Sequence, residues 1–259
     1  MKYSLLLLLI LSTMTGCLTD DSDEPIQKST EETELLLSAA TSLSEVLPDI
    51  IDAYKAVDPY TKITLNFGGS GRLSQQIQYG APVDIFLSAD QKSMDMLEEQ
   101  SLIYPDTRLN FAKNRLVLVS RNDSSLSIQS LEDLAHATTE TIAIGNPESV
   151  PAGSYAKEAL QKNGVWDVLQ DQFIYAKDVR QVLTYVETGN TGIGFVYATD
   201  VHLYDKVTIL TEIDTQLHES IVYPAAVTSY STNSRAAENF IEFLESDTVR
   251  TILKSHGFK

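Results

Sequence analysis

Two serines stand where a strand gives way to a helix, each among small residues. Ser70 lies in N-F-G-G-S-G-R-L (66–73), just after the run Ile63-Thr64-Leu65, and Ser42 lies in S-A-A-T-S-L (38–43), just before the first helical pattern. Known glycine loops make specific demands at such places. A phosphate-cradling P-loop needs Gly-Lys-Ser/Thr, and here Gly71 is followed by Arg72-Leu73. A dinucleotide loop needs a third small residue where Ser74 stands, a poor fit, and a nucleophile elbow needs glycine where Arg72 stands. What survives is donation: glycines let the backbone approach a ligand, while a serine hydroxyl and the N–H groups opening the next helix donate hydrogen bonds to an anion. Ser42 taken alone also suits an ordinary helix N-cap. Two such turns in one parallel sheet favour the ligand role, because ligands of open α/β sheets bind beyond the carboxyl ends of the strands.

The elements that must carry these turns alternate. Leu35–Leu37 reads as a buried strand, 44–57 as a helix with Pro48 in its first turn, 63–67 as a strand, 73–79 as a helix and 83–87 as a strand. Asp90 then caps a helix carrying Met94 and Leu97. A second set follows: strands over 115–120, 141–145, 173–176 and 193–197, with helices over 130–135, 154–162 and 179–187. The chain closes with a strand over 221–227 and helices over 235–244 and 249–256. This order implies an α/β protein of two lobes, each a mostly parallel sheet flanked by helices, joined by two crossings near 113–115 and 223–224. The expected division is 35–114 plus 224–259 for the first lobe and 115–223 for the second.

A chain of 259 residues with 43% hydrophobic and 21% charged residues is long enough for two cores. Its formal charge of −17 argues against nucleic acid, and it makes any anion site a local construction. The single cysteine, Cys17, excludes an internal disulfide. Lys2, the apolar run Leu5–Leu11 and Met14-Thr15-Gly16-Cys17 resemble the signal peptide and lipobox of bacterial lipoproteins, with Met14 where leucine is usual. The alternative is an ordinary secretory signal that happens to contain a cysteine. Residues 1–17 are therefore expected to be a lipoprotein signal peptide ending at a lipidated Cys17, and acyl chains there would anchor the protein to the membrane. Thr19–Glu34 holds seven acidic residues, one lysine and Pro25 with little that is apolar, so 18–34 is expected to be a disordered tether.

The stretches S-A-A-T-S-L-S-E-V, F-G-G-S-G-R-L-S-Q-Q-I, G-A-P-V-D-I-F-L-S-A-D, P-A-G-S-Y-A-K-E-A-L-Q-K-N-G-V-W, D-V-R-Q-V-L and G-I-G-F-V-Y resemble the molybdate-binding proteins of bacterial ABC importers, in that family's order from about Leu35 to Phe258. The resemblance implies a type II-like periplasmic-binding-protein fold with a tetrahedral oxyanion, molybdate or tungstate, in the interlobe cleft. It implies ligation by Ser42 and Ser70 from one lobe, and by the amides of Ala152 and Val179 and the hydroxyl of Tyr197 from the other. It also implies delivery to a membrane permease by a monomer on the extracellular face, with no cofactor and no catalysis. Where the family often has more Ser or Ala around the second serine, this chain has Gly68, Gly69 and Gly71, so that loop is expected to be more mobile before binding.

Chemistry supports the transfer. A fully deprotonated tetrahedral dianion offers only acceptors, and the five positions supply only donors. Asp178 is expected to cap its own helix, leaving the Val179 amide to the cleft. Arg72 and Arg180 are expected to be solvated or interlobe residues. Two rivals stay open: a receptor for another tetrahedral oxyanion such as sulfate, and a serine hydrolase using Ser70. None of His136, His202, His218 and His256 lies in a strand-end turn beside the site segments, so no general base is evident.

Overall fold

The structure is a computed structural model and describes residues 32–137, 141–202 and 204–259. The expected signal peptide, Cys17 and most of the expected tether lie outside the described residues. In chain order the strands are β1 (Thr33–Ala40), β2 (Thr61–Gly68), β3 (Ile85–Leu87), β4 (Leu109–Lys113), β5 (Leu116–Arg121), β6 (Ile142–Gly145), β7 (Phe173–Ala176), β8 (Ile193–Tyr197), β9 (Val207–Glu212) and β10 (Val222–Val227). The helices are α1 (Val46–Lys55), α2 (Ser70–Gln78), α3 (Gln91–Glu99), α4 (Leu131–Ala137), α5 (Pro151–Lys162), α6 (Trp166–Leu169), α7 (Val179–Glu187), α8 (Ala198–Val201), α9 (Ser234–Leu244) and α10 (Asp247–Ser255).

The strands form two five-stranded sheets, ordered β2-β1-β3-β10-β4 and β7-β6-β8-β5-β9. Each has the same plan. β10 runs antiparallel to β3 and β4, and β5 runs antiparallel to β8 and β9, while the remaining pairs are parallel. The antiparallel strand in each sheet is the one that has just crossed from the other lobe. The crossings lie side by side, with the Asn114 amide donating to the Ile221 carbonyl at 3.1 Å. Two boundaries differ from the sequence expectation. β10 already pairs with β4 at Val222 and Tyr223, so the second crossing precedes Val222; and Thr33 and Glu34, assigned to the tether, pair with Thr61 and Lys62 in β1.

Local packing seats the helices whose first turns matter below. Val179, Val182, Leu183 and Val186 of α7 are buried at helical spacing, and the last three pack with Val117, Val119, Ala143 and Val196 of the second sheet. Gly194 of β8 lets α7 settle, since a Cβ there would stand 2.8 Å from side-chain atoms of Val182 and Val186. Each such buried aliphatic side chain stabilises the folded state by roughly 1.5–3 kcal/mol. The amino end of α5 presses against β6 in the same way, because a Cβ on Gly153 would lie 1.9 Å from the Gly145 carbonyl oxygen. In the first lobe α1 buries Val46, Leu47, Ile50, Ile51 and Tyr54, with the Tyr54 ring edge-on to Phe240 of α9 at 5.1 Å.

Candidate functional site

The carboxyl ends of parallel strands from both sheets face one cavity. From the first lobe come the turns after β1 and β2, which are neighbours because Ala40 pairs with Gly68. From the second come the turns after β6 and β7, neighbours through Gly145 and Ala176, together with the end of β8. The cavity lining includes Thr41, Ser42, Ser70, Ala152, Val179 and Tyr197, so the five residues singled out in the sequence come together. The cavity is small, with about 210 Å³ of free space including its open mouth. That is room for one small compact solute, not for a sugar or a peptide.

The hydroxyls there are placed so that each can donate into the cavity. Ser70 opens α2 and is fully buried, and its Oγ accepts the Ala89 amide at 2.9 Å, which leaves its own proton for the cavity. Ser42 is not the N-cap of α1, a position held by Glu45; it sits in a 3-10 turn over Thr41–Leu43 with its Oγ 3.0 Å from the Tyr223 hydroxyl. The Tyr197 hydroxyl is buried without a hydrogen-bond partner among the described residues, and burial pushes its phenol well above the ordinary value, so it remains a neutral donor. Ala152 and Val179 lie in the first turns of α5 and α7, where amides have no helical acceptor and the helix dipole is positive. Asp178 also lines the cavity, but its carboxylate accepts the Gln181 amide at 2.9 Å and so caps α7. Among the described residues no histidine lines the cavity beside Ser70.

Gly68 and Gly69 line the cavity, and the glycines of this loop have a second use. Their φ angles are not in the left-handed region, and Gly69 and Gly71 make room for the opposite lobe. A Cβ on Gly69 would stand 2.6 Å from the Ser149 carbonyl oxygen, and one on Gly71 would stand 2.8 Å from the Ser149 Cα. The Gly71 amide donates to that same Ser149 carbonyl at 3.1 Å. Arg180 of α7 pairs with Glu45, a second interlobe link, while Arg72 is exposed. The sequence did not single out Thr41, whose buried hydroxyl has no partner among the described residues and whose place in the hydroxyl-rich turn was the available signal.

Asp200 of α8 lies close behind Tyr197, accepting its amide at 3.3 Å. Burial pushes its carboxyl up to about 7, opposed by that amide and by Arg180. The folded protein therefore holds this proton at a pH where the unfolded chain, with a carboxyl near 3.9, has released it, so stability falls as pH rises from about 4 to about 7. Asp200→Asn is expected to remove that fall and to raise the melting temperature relative to wild type above pH 7. Melting curves of the two proteins at several pH values check it; parallel profiles would contradict it.

This architecture is shared with known proteins. A Bacillus subtilis protein named as an ABC transporter substrate-binding lipoprotein, YvgL, is 36% identical over 99% of this chain and 98% of its own length. The molybdate-binding protein ModA of Escherichia coli is 34% identical over 88% of this chain and 90% of its own. A solved substrate-binding domain assigned to a molybdenum ABC transporter of Clostridium difficile superposes with a TM-score of 0.68 at 43% identity, covering 88% of this chain and 99% of that one. All three are named for binding a substrate or solute, two of them as parts of ABC transporters. Since two like-built lobes meet over one donor-lined cavity, and residues 35–259 match its profile throughout, the chain belongs to the bacterial extracellular solute-binding protein family.

Proposed function

We propose that this chain captures molybdate, and equally tungstate, in the interlobe cavity and delivers it to the membrane permease of an ABC importer. The observation that carries the proposal is the donor-only character of the site. Ser42, Ser70 and Tyr197 supply hydroxyl protons, Ala152 and Val179 supply amide protons, and the nearest carboxylate, Asp178, is occupied by its own helix. Such a cage suits a tetrahedral dianion that carries no proton at neutral pH. Hydrogenphosphate would set its proton against another donor. Sulfate matches the charge but is smaller, so it cannot reach donors on both lobes at good length, and hydrogen bonds weaken steeply when stretched. The relative named for molybdate supports the choice among tetrahedral anions.

Calorimetry with molybdate, tungstate, sulfate and phosphate on residues 32–259 tests this. Molybdate and tungstate should bind about equally, with sulfate far weaker and phosphate undetectable. Sulfate or phosphate binding as tightly as molybdate would move the protein to another oxyanion.

Anchoring belongs to the same proposal. Cys17 ends a short apolar run and is the chain's sole thiol, which supports its lipidation at the extracellular face of the cell membrane. Cys17→Ala is expected to leave the chain unlipidated and, at the membrane, uncleaved. Labelled fatty acid still attached to the variant would sink the idea.

A further inference from the structure

Behind Ser42 lies a chain of hydrogen bonds that starts between the two crossings. The Asn114 side chain is fixed in one orientation, because its Oδ1 accepts the Arg115 amide at 2.8 Å. Its Nδ2 then has two protons to give. One goes to Thr199 Oγ1 at 2.8 Å in the second lobe, the other to the Tyr223 hydroxyl at 3.1 Å. Tyr223 is fully buried, and its ring packs edge-on against Tyr197 at 6.0 Å and Phe258 at 5.5 Å. The Tyr223 hydroxyl and Ser42 Oγ lie 3.0 Å apart, a pair in which either oxygen can donate, and with the phenol oxygen already accepting from Asn114 the phenol proton is free to go to Ser42 Oγ. In that arrangement the serine oxygen is occupied as an acceptor and its own proton is left for the cavity.

We propose that Asn114 and Tyr223 form a positioning relay that holds the Ser42 hydroxyl as an obligate donor, and so help the site reject oxyanions that carry a proton. The inference rests on the oxyanion assignment above. Neither relay residue is among those lining the cavity. Their effect is directional: each hydroxyl in the series accepts from the one behind it and becomes a better donor to the one ahead. Ser70 reaches the same end by a local route, through the Ala89 amide. Without the phenol proton, Ser42 is free to rotate and accept, and the cage acquires a place for a protonated oxygen.

The test is a double-mutant cycle read by calorimetry, with molybdate and with inorganic phosphate as probes, on wild type, Tyr223→Phe, Ser42→Ala and the double variant. Tyr223→Phe keeps the ring. It should weaken molybdate binding about threefold to tenfold when Ser42 is present and by less than about twofold when Ser42 is alanine, because the relay acts only through that hydroxyl. The preference for molybdate over phosphate should narrow in Tyr223→Phe. A merely structural role predicts equal losses in both backgrounds, and that result, or wild-type affinity in Tyr223→Phe, would overturn the relay. Should Tyr223→Phe fold poorly, Asn114→Asp supplies the same cycle. Its carboxylate would draw the phenol proton away from Ser42, so part of its loss should again vanish with Ser42→Ala, whereas a purely electrostatic loss would persist. Wild-type protein that ignores molybdate would overturn the oxyanion assignment instead, and the relay with it.

Discussion

Gly69→Val is expected to weaken molybdate binding at least a hundredfold while leaving the ligand-free protein folded. The new Cβ would stand 2.6 Å from the Ser149 carbonyl oxygen and 3.2 Å from that of Lys177, both backbone atoms of the opposite lobe. Backbone cannot swing aside as a long side chain can, so the lobes must part. Gly69 itself has φ −66° and ψ 136°, a conformation open to valine, so the clash is confined to the closed arrangement. Parting the lobes separates Ser42 and Ser70 from Ala152, Val179 and Tyr197. A ligand held by one lobe forfeits at least two hydrogen bonds to a charged acceptor, each worth about 1.5–3 kcal/mol, and tenfold in affinity is about 1.4 kcal/mol. Titration calorimetry would show the loss, and small-angle scattering should show wild type compacting on binding while the variant stays extended. Wild-type affinity in the variant would mean that closure at Gly69 is not needed.

That glycine shows where sequence legibility ended. Bare backbone in N-F-G-G-S-G-R-L pointed to a close approach, but whether to a ligand or to another lobe depends on a contact with Ser149, some eighty positions along the chain, that no local pattern encodes. Elements with a strong buried face were readable: α7 and β8 span the residues their periodicity predicts, and Asp90 and Asp178 cap α3 and α7 through Ser93 and Gln181. β4 and β9 were not read because both are edge strands with interrupted burial, so neither presents an apolar run or a clean alternation. Helix starts were read late at α2 and α5, whose first turns hold Ser70-Gly71-Arg72 and Pro151-Ala152-Gly153. Serine, glycine and proline there have little helical propensity, and burial of Ser70 and of Pro151-Ala152-Gly153 holds these turns in place. Tyr223 gave no signal at all. In V-Y-P it looks like any strand aromatic, and its role appears only when Asn114 and Ser42 are brought to it from distant parts of the chain.

Tyr197→Phe should separate binding from stability by moving them in opposite directions. The hydroxyl is buried at the end of β8 and has no protein partner among the described residues, so the folded protein bears the cost of its desolvation. Such a group costs about 1–3 kcal/mol, and removing it while keeping the ring should raise the ligand-free melting temperature by a few degrees. The same deletion takes a neutral donor from the anion, so molybdate affinity should fall roughly tenfold to a hundredfold. Ser70→Ala makes the contrast, because it also strips the Ala89 amide of its acceptor at 2.9 Å and should lose stability and affinity together. If Tyr197 served packing alone, phenylalanine would leave affinity unchanged, since its contacts with Tyr223 depend on the ring and not on the hydroxyl. Paired melting and calorimetric measurements on the two variants therefore distinguish a hydroxyl kept for a ligand from one kept for the fold.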